Sequence, residues 1–219
     1  MDEHHIRVPR TARYMTLGSP QAPREIWLAC HGYGQLARFF ARHFEPLAGD
    51  QRFIVVPEAM NRFYLENPGG DHRDARVGAT WMTREDRLSE IDDYVGYLDA
   101  VLAESVSPKV LGAARVTALG FSQGVATVCR WATRSVHVPS RMILWGEKLP
   151  PDLDWAAATP RFKAMDVIRV AGLEDAATPP AALAADGATL DGHGIPHRIV
   201  TFAGGHKLDP DVLQQLASA

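Results

Sequence analysis

The feature that most narrows what this chain can fold into is a series of six short apolar runs, at 26–30, 53–56, 115–119, 141–145, 167–170 and 198–202, separated by longer stretches of helical period. Most of these runs lack the strict polar alternation of a half-exposed strand. Continuous apolar strands are buried on both faces, as in a parallel sheet covered by helices. The order strand, helix, strand therefore predicts an α/β fold with a mostly parallel central sheet and helices on both faces. The most regular helical stretch follows Thr83. There Leu88, Ile91, Val95, Leu98, Val101 and Leu102 recur at spacings of three and four as one apolar stripe, with Glu90, Asp93 and Glu104 outside it. Ahead of it, Thr83-Arg84-Glu85-Asp86 reads as a capping box with Asp in the closing place, and Tyr94 and Tyr97 read as packing residues. Two stretches look irregular: 58–80, with Asn61, Asn67, Pro68, Gly69, Gly70 and the charges of 71–76, and 146–160, with Pro150, Pro151 and Pro160. Loops of such length in an α/β protein tend to line a site or to move.

With 219 residues, 46% of them hydrophobic, the chain can bury a core of its own, and the expectation is one domain over 1–219. Lys and Arg number 23 against 26 Asp and Glu, so the net charge of -3 gives no field for gripping a phosphate backbone or an anionic bilayer. Nucleic acid is not an expected partner. No run approaches the ~18 apolar residues of a membrane span. The opening Met1-Asp2-Glu3-His4-His5 lacks the basic and apolar regions of a signal peptide. The expected location is the cytoplasm, without integral membrane association. Cys30 and Cys129 lie in apolar stretches without a CxxC partner and read as reduced core residues. Of the nine histidines, apart from the adjacent His4 and His5 the compact pair is His193 and His197, and Gly194-Ile195-Pro196 between them cannot hold helical i, i+4 geometry. No metal site is expected.

The strongest local chemistry is Gly120-Phe121-Ser122-Gln123-Gly124, directly after the run 115–119 and directly before a stretch that continues as helix. This is a G-x-S-x-G elbow in the strand-turn-helix context it requires. The flanking glycines are needed because the serine sits in a strained turn, where side chains two residues away would strike the neighbouring strand and helix. The plainer reading is a serine at a helix N-cap with glycines serving only the turn. A nucleophilic serine needs a base, and the base an orienting acid. The run 167–170 leads into Gly172-Leu173-Glu174-Asp175, and the run 198–202 into Gly204-Gly205-His206. Both candidates thus follow strand carboxyl ends, on the edge where Ser122 stands, in the order serine, acid, histidine of an α/β-hydrolase triad. His193 and His197 precede the last strand and belong at its opposite end. The residues alone leave Glu174 and Asp175 in competition for the acid role.

An acyl-transfer site also needs two donors for its oxyanion. Gln123 N–H, at the start of a helix, is one candidate. Tyr33 N–H, in the glycine-flanked turn His31-Gly32-Tyr33-Gly34, is the other. The same turn supports a rival reading. Gly32-Tyr33-Gly34-Gln35-Leu36-Ala37 matches G-x-G-x-x-A, and Glu58, 26 residues after Gly32, falls near the place of a ribose-binding acid in a dinucleotide site. That reading leaves Ser122, Asp175 and His206 at three strand ends as coincidence, and is the weaker one.

On these residues the chain resembles the carboxylesterase, phospholipase and acyl-protein thioesterase group of small α/β-hydrolases. The likeness rests on His31-Gly32-Tyr33-Gly34 for the HGxG loop, Gly120 to Gly124 for the GFSQG elbow, Gly172-Leu173-Glu174-Asp175 with Pro179 for the acid loop, and Gly205-His206 for the terminal GH, and it spans 26–217. It implies an α/β-hydrolase fold without a separate cap domain, and its register selects Asp175 over Glu174. The family's catalytic roles carry over to Ser122, Asp175 and His206, and its backbone oxyanion donors to Tyr33 and Gln123. Ala79-Thr80-Trp81 is similar to a Ser-Trp pair of the family but lacks the serine, and it brings Trp81 in as a residue lining the acyl pocket. A structural tryptophan at a helix start is the competing account of that residue. The implied reaction is cleavage of a small-molecule carboxylic ester or thioester through an acyl-enzyme on Ser122, with no metal or organic cofactor. Peptide or amide hydrolysis by the same triad, and a binding module on the same scaffold without turnover, are the alternatives.

Overall fold

The computed structural model describes residues 1–66 and 73–219. Asn67, Pro68, Gly69 and Gly70 of the irregular stretch, with the first two residues of its charged part, lie outside the described residues. In chain order the elements begin with strands β1 (Tyr14–Leu17) and β2 (Glu25–Cys30), the short helix α1 (Ala37–Phe40) running into a 3₁₀ segment (Ala41–Leu47), and strand β3 (Arg52–Pro57). Strands β4 (Asn61–Tyr64) and β5 (Val77–Thr80) are followed by helices α2 (Arg87–Ser105) and α3 (Pro108–Ala113), then β6 (Arg115–Phe121) and α4 (Gln123–Arg134). The remainder is β7 (Arg141–Trp145), α5 (Trp155–Phe162), β8 (Asp166–Gly172), α6 (Pro180–Gly192), β9 (His197–Phe202) and α7 (Pro210–Ser218).

Seven strands form one sheet in the order β1-β3-β2-β6-β7-β8-β9, parallel throughout except for β1, which pairs antiparallel with β3. The strand pleat divides the core into two layers. Ile26, Leu28 and Cys30 of β2 pack on one face with Leu98 and Leu102 of α2 and Val125 and Val128 of α4. Trp27 and Ala29 pack on the other with Phe40, Phe44 and Leu213 and Leu216 of α7. All six apolar runs are strands, and helices cover both faces as predicted. Cys30 and Cys129 are free and buried. Among the described residues no helix is long and apolar enough to cross a membrane.

Three sequence expectations need correction. The helix expected after Thr83 begins at Arg87, with Asp86 left-handed (φ 43°) at its N-cap. Thr83 is thus three residues too early to close a capping box. Its Oγ1 accepts Glu85 N–H at 3.1 Å, and its own N–H donates to Glu90 Oε2 at 2.7 Å. Leu88 consequently falls outside the buried stripe, at 69% exposure, while Ile91, Val95, Leu98, Val101 and Leu102 are buried as expected and Tyr94 joins them. The stretch 58–80 is not wholly irregular either. β4 and β5 pair antiparallel within it, from Asn61 opposite Thr80 to Tyr64 opposite Val77. The stretch 146–160 ends in α5, capped by Asp154 Oδ1, which accepts the Ala156 and Ala157 N–H groups, and Pro160 lies inside that helix.

Candidate active site

The strand order places the carboxyl ends of β2, β6, β7, β8 and β9 side by side, and the candidate residues follow four of them. Ser122 follows β6 with φ 53° and ψ -124°, a backbone state that costs a non-glycine residue on the order of 1–3 kcal/mol and persists only where its surroundings enforce it. The surroundings here are very tight. A Cβ on Gly120 would stand 2.3 Å from Gly124 O, and one on Gly124 would stand 2.2 Å from Cys30 O, so neither place accepts a side chain. Ser122 N–H donates to Trp145 O at 2.8 Å, which ties the elbow to β7.

The loops after β8 and β9 are joined to each other. Leu173 N–H donates to Phe202 O and Glu174 N–H to Gly204 O, each at 2.9 Å. This brings Asp175 Oδ2 to 2.9 Å from His206 Nδ1. The Asp175 side chain is 1% exposed and the His206 ring 37%. Asp175 Oδ1 accepts Ala177 N–H at 2.9 Å, so both carboxylate oxygens are engaged. Glu174 is exposed, and of the two acids it is Asp175 whose carboxylate meets the His206 ring. With Nδ1–H donating to Asp175, Nε2 is the nitrogen left to act as base. The His206 ring lies against Phe121, centroids 4.9 Å apart. Ser122 and His206 line one cleft of about 250 Å³. Among the described residues Ser122 Oγ makes no hydrogen bond.

Of the four amides of residues 32–35, in the loop after β2, three are already used. Gly32 N–H donates to Gln35 Oε1 at 2.8 Å, Gly34 N–H to Ala79 O at 2.9 Å and Gln35 N–H to Gly32 O at 3.3 Å. Tyr33 N–H has no acceptor among the described residues. Gln123 opens α4, so its N–H is a first-turn donor without an intrahelical acceptor. Tyr33 and Ser122 line both the 250 Å³ cleft and a second one of about 500 Å³, which Gln123 lines as well.

The dinucleotide alternative fails at Glu58. Its side chain is fully buried, with Oε1 accepting from Arg13 Nη2 and Arg62 Nε, each at 2.7 Å, and Oε2 accepting Ala37 N–H at 3.2 Å. Burial alone would push this carboxyl up, but hydrogen bonds and charge from Arg62 and Arg13 outweigh it and hold the group below its ordinary value. A ribose acid has to stay open to its ligand, and this one is closed.

Trp81 lines neither of the two clefts at Ser122. It is 2% exposed, its indole N–H donates to His31 O at 2.8 Å, and its ring lies 5.2 Å from that of His31. From the same loop it is Met82 that lines the 500 Å³ cleft. His31 is likewise interior. Its Nδ1–H donates to Gly32 O at 2.8 Å and its Nε2 accepts Ala59 N–H at 3.0 Å, and burial pulls its pKa down to about 4.

Two features of the site are not readable from the sequence, the role of the Gln123 side chain and the place of Gly146. The Gln123 side chain clasps the loop after β5: Nε2 donates to Thr80 Oγ1 at 2.8 Å and Met82 O at 2.9 Å, and Oε1 accepts Trp81 N–H at 3.1 Å. Gly146, just after β7, has φ +72°, and a Cβ there would stand 3.3 Å from Asp175 Oδ2 and from His206 Nδ1 and Cε1. A glycine immediately after a predicted strand was the signal for the second. Nothing local in the sequence marks the first.

No protein-family model matches the chain, and no curated protein matches its sequence. Solved structures do match its fold. Acyl-protein thioesterase 2 of Zea mays superposes with a TM-score of 0.72 at 14% identity, over 95% of this chain and 97% of that one. A carboxylesterase of Mesorhizobium loti gives 0.66 at 17%, over 95% of each. YahD, solved with malic acid, gives 0.66 at 16%, over 95% and 97%. Together with the sheet order, these likenesses assign the chain the α/β-hydrolase fold.

Proposed function

We propose that the protein is a serine hydrolase that cleaves a small-molecule carboxylic ester or thioester through an acyl-enzyme on Ser122. The observation that carries this reading is the buried Asp175 carboxylate on His206 Nδ1, in a cleft that the elbow serine also lines. The thioesterase and carboxylesterase among the structural neighbours give it further support. His206 Nε2 takes the Ser122 proton as Oγ attacks the carbonyl carbon, and then gives it to the departing alcohol or thiol. Asp175 holds the tautomer and stabilises the imidazolium. Tyr33 and Gln123 N–H groups receive the charge that develops on the carbonyl oxygen. Water, deprotonated by His206, then releases the acid and restores Ser122.

The two clefts divide the substrate. The leaving group has to be within reach of the group that protonates it, so it occupies the 250 Å³ cleft lined by His206, Phe40 and His43. The acyl group lies on the other side of Ser122, in the 500 Å³ cleft between α4 and residues 147–151. The test is turnover of a p-nitrophenyl ester, the matched thioester and the matched anilide. Ester and thioester hydrolysis lost in Ser122→Ala supports the reading. Cleavage of the anilide at a comparable rate would make the protein an amidase, and no turnover of any of the three by a folded protein would leave only a binding module.

A further inference from the structure

The acyl cleft has an unusual end. Ser122, Ala126, Thr127 and Arg130 line it along one face of α4, and eight residues of helix carry it about 12 Å from the serine. Met82, Leu149, Pro150 and Pro151 supply apolar walls. A cleft for a plain hydrocarbon chain is best closed by another apolar side chain, because a buried charge costs desolvation unless it is used. Here the residue is Arg130, whose side chain is 9% exposed.

Its partners do not cancel it. Arg130 Nη2 donates to Asp152 Oδ1 at 2.6 Å and Nη1 to Tyr94 Oη and Met82 Sδ, each at 3.3 Å, while the buried Nε has no acceptor among the described residues. Asp152 is shared, since its Oδ2 accepts from Arg87 Nη2 at 2.7 Å. One carboxylate thus serves two guanidiniums, and a net positive charge remains at this end. Lys148 lines the opposite wall, is exposed and makes no ion pair among the described residues. Against these two cations the lining holds one carboxylate, Glu147.

We propose that the cleft selects an acyl group that ends in a carboxylate, so that the substrate is a monoester or monothioester of a dicarboxylic acid, with Arg130 and Lys148 as the residues that set this specificity. The inference rests on the serine-hydrolase reading and on the placement of the acyl group that follows from it. The methylenes of such an acyl group meet Met82, Leu149 and the prolines. Its terminal carboxylate meets the arginine, a planar donor array suited to carboxylates.

The experiment compares mono-p-nitrophenyl adipate with p-nitrophenyl hexanoate, which share chain length and leaving group and differ in the terminal carboxylate. The wild type is expected to favour the adipate ester by about tenfold or more in kcat/KM, a preference that weakens as salt rises. Arg130→Gln should lower the adipate-to-hexanoate ratio by about tenfold, and Lys148→Glu, at an exposed position where folding is not at stake, by about threefold or more. Adipate itself should raise the Tm of wild type and not that of Arg130→Gln, a reading independent of turnover. A wild-type preference for hexanoate, or an equal loss on both esters in Arg130→Gln, would overturn the specificity and leave Arg130 a clamp on residue 152. If neither ester turns over, the hydrolase reading fails, and the adipate shift alone then decides whether the cleft binds a carboxylate.

Discussion

Asp175 Oδ2 accepts from His206 Nδ1 at 2.9 Å across 31 residues of chain, with the carboxylate almost wholly buried and the ring more than one-third exposed. Burial of the acid and access to the base are what an acid that fixes a tautomer, and a base that works on substrate, each require. Asp175→Asn should therefore lower kcat by on the order of 10⁴-fold with the fold intact, as judged by circular dichroism and Tm. Glu174→Gln, at an exposed neighbour, should change kcat by less than about twofold. The reverse ranking would transfer the acid role to Glu174.

Gly146 tests the same pair from its flank. Alanine there meets both an unfavourable φ of +72° and contacts at 3.3 Å to the carboxylate and the imidazole. The expected result for Gly146→Ala is a kcat loss of about tenfold to a hundredfold, since small displacements of reacting groups are expensive. Its pH profile should shift as the Asp175–His206 bond lengthens. An unchanged profile with an unchanged kcat would show that the pair tolerates displacement.

The Gln123 side chain separates two roles in one residue. Gln123→Ala keeps the backbone N–H proposed for the oxyanion but removes the clasp on Thr80, Trp81 and Met82. Because Met82 lines the cleft proposed for the acyl group, KM should rise by about tenfold with a smaller effect on kcat. A kcat collapse without a KM change would mean that the side chain acts on the reacting atoms themselves.

His31 predicts a pH dependence of stability. Burial holds its folded pKa at about 4, below the ordinary value of 6.5, and outweighs the Gly32 carbonyl and the Glu58 charge, both of which pull it upward. The unfolded chain therefore binds this proton more readily than the folded one. The stability is fully present above about pH 6.5 and is lost progressively as pH falls towards 4, by about 3 kcal/mol in all. Urea unfolding of wild type and His31→Leu across that window should show the difference in slope. Parallel curves for the two proteins would remove His31 as the cause.

Much of this arrangement is legible in the sequence alone, and the reasons are local. Gly120 and Gly124 announce the elbow because no side chain fits at either place, and five of the six apolar runs announce the sheet because strands covered on both faces need not alternate, while the sixth, in β9, is half exposed. β1, β4 and β5 were not legible, since each is four residues long and β4 and β5 carry polar and small residues. The start of α2 misled because Thr83 makes a local turn with Glu85 instead of a capping box. Trp81 misled because an aromatic next to a site reads as lining until its indole N–H is seen bonded to His31 O. The roles of the Arg130 and Gln123 side chains are not legible in the sequence because their partners, Asp152 and residues 80–82, are distant along the chain.

The central claim is that Ser122 is an activated nucleophile, and intact mass after incubation with a fluorophosphonate tests it most directly. The account predicts one adduct on the wild type, none on Ser122→Ala and slowed labelling of His206→Ala. A folded wild type that takes up no label, or one that labels equally well without Ser122, would contradict it.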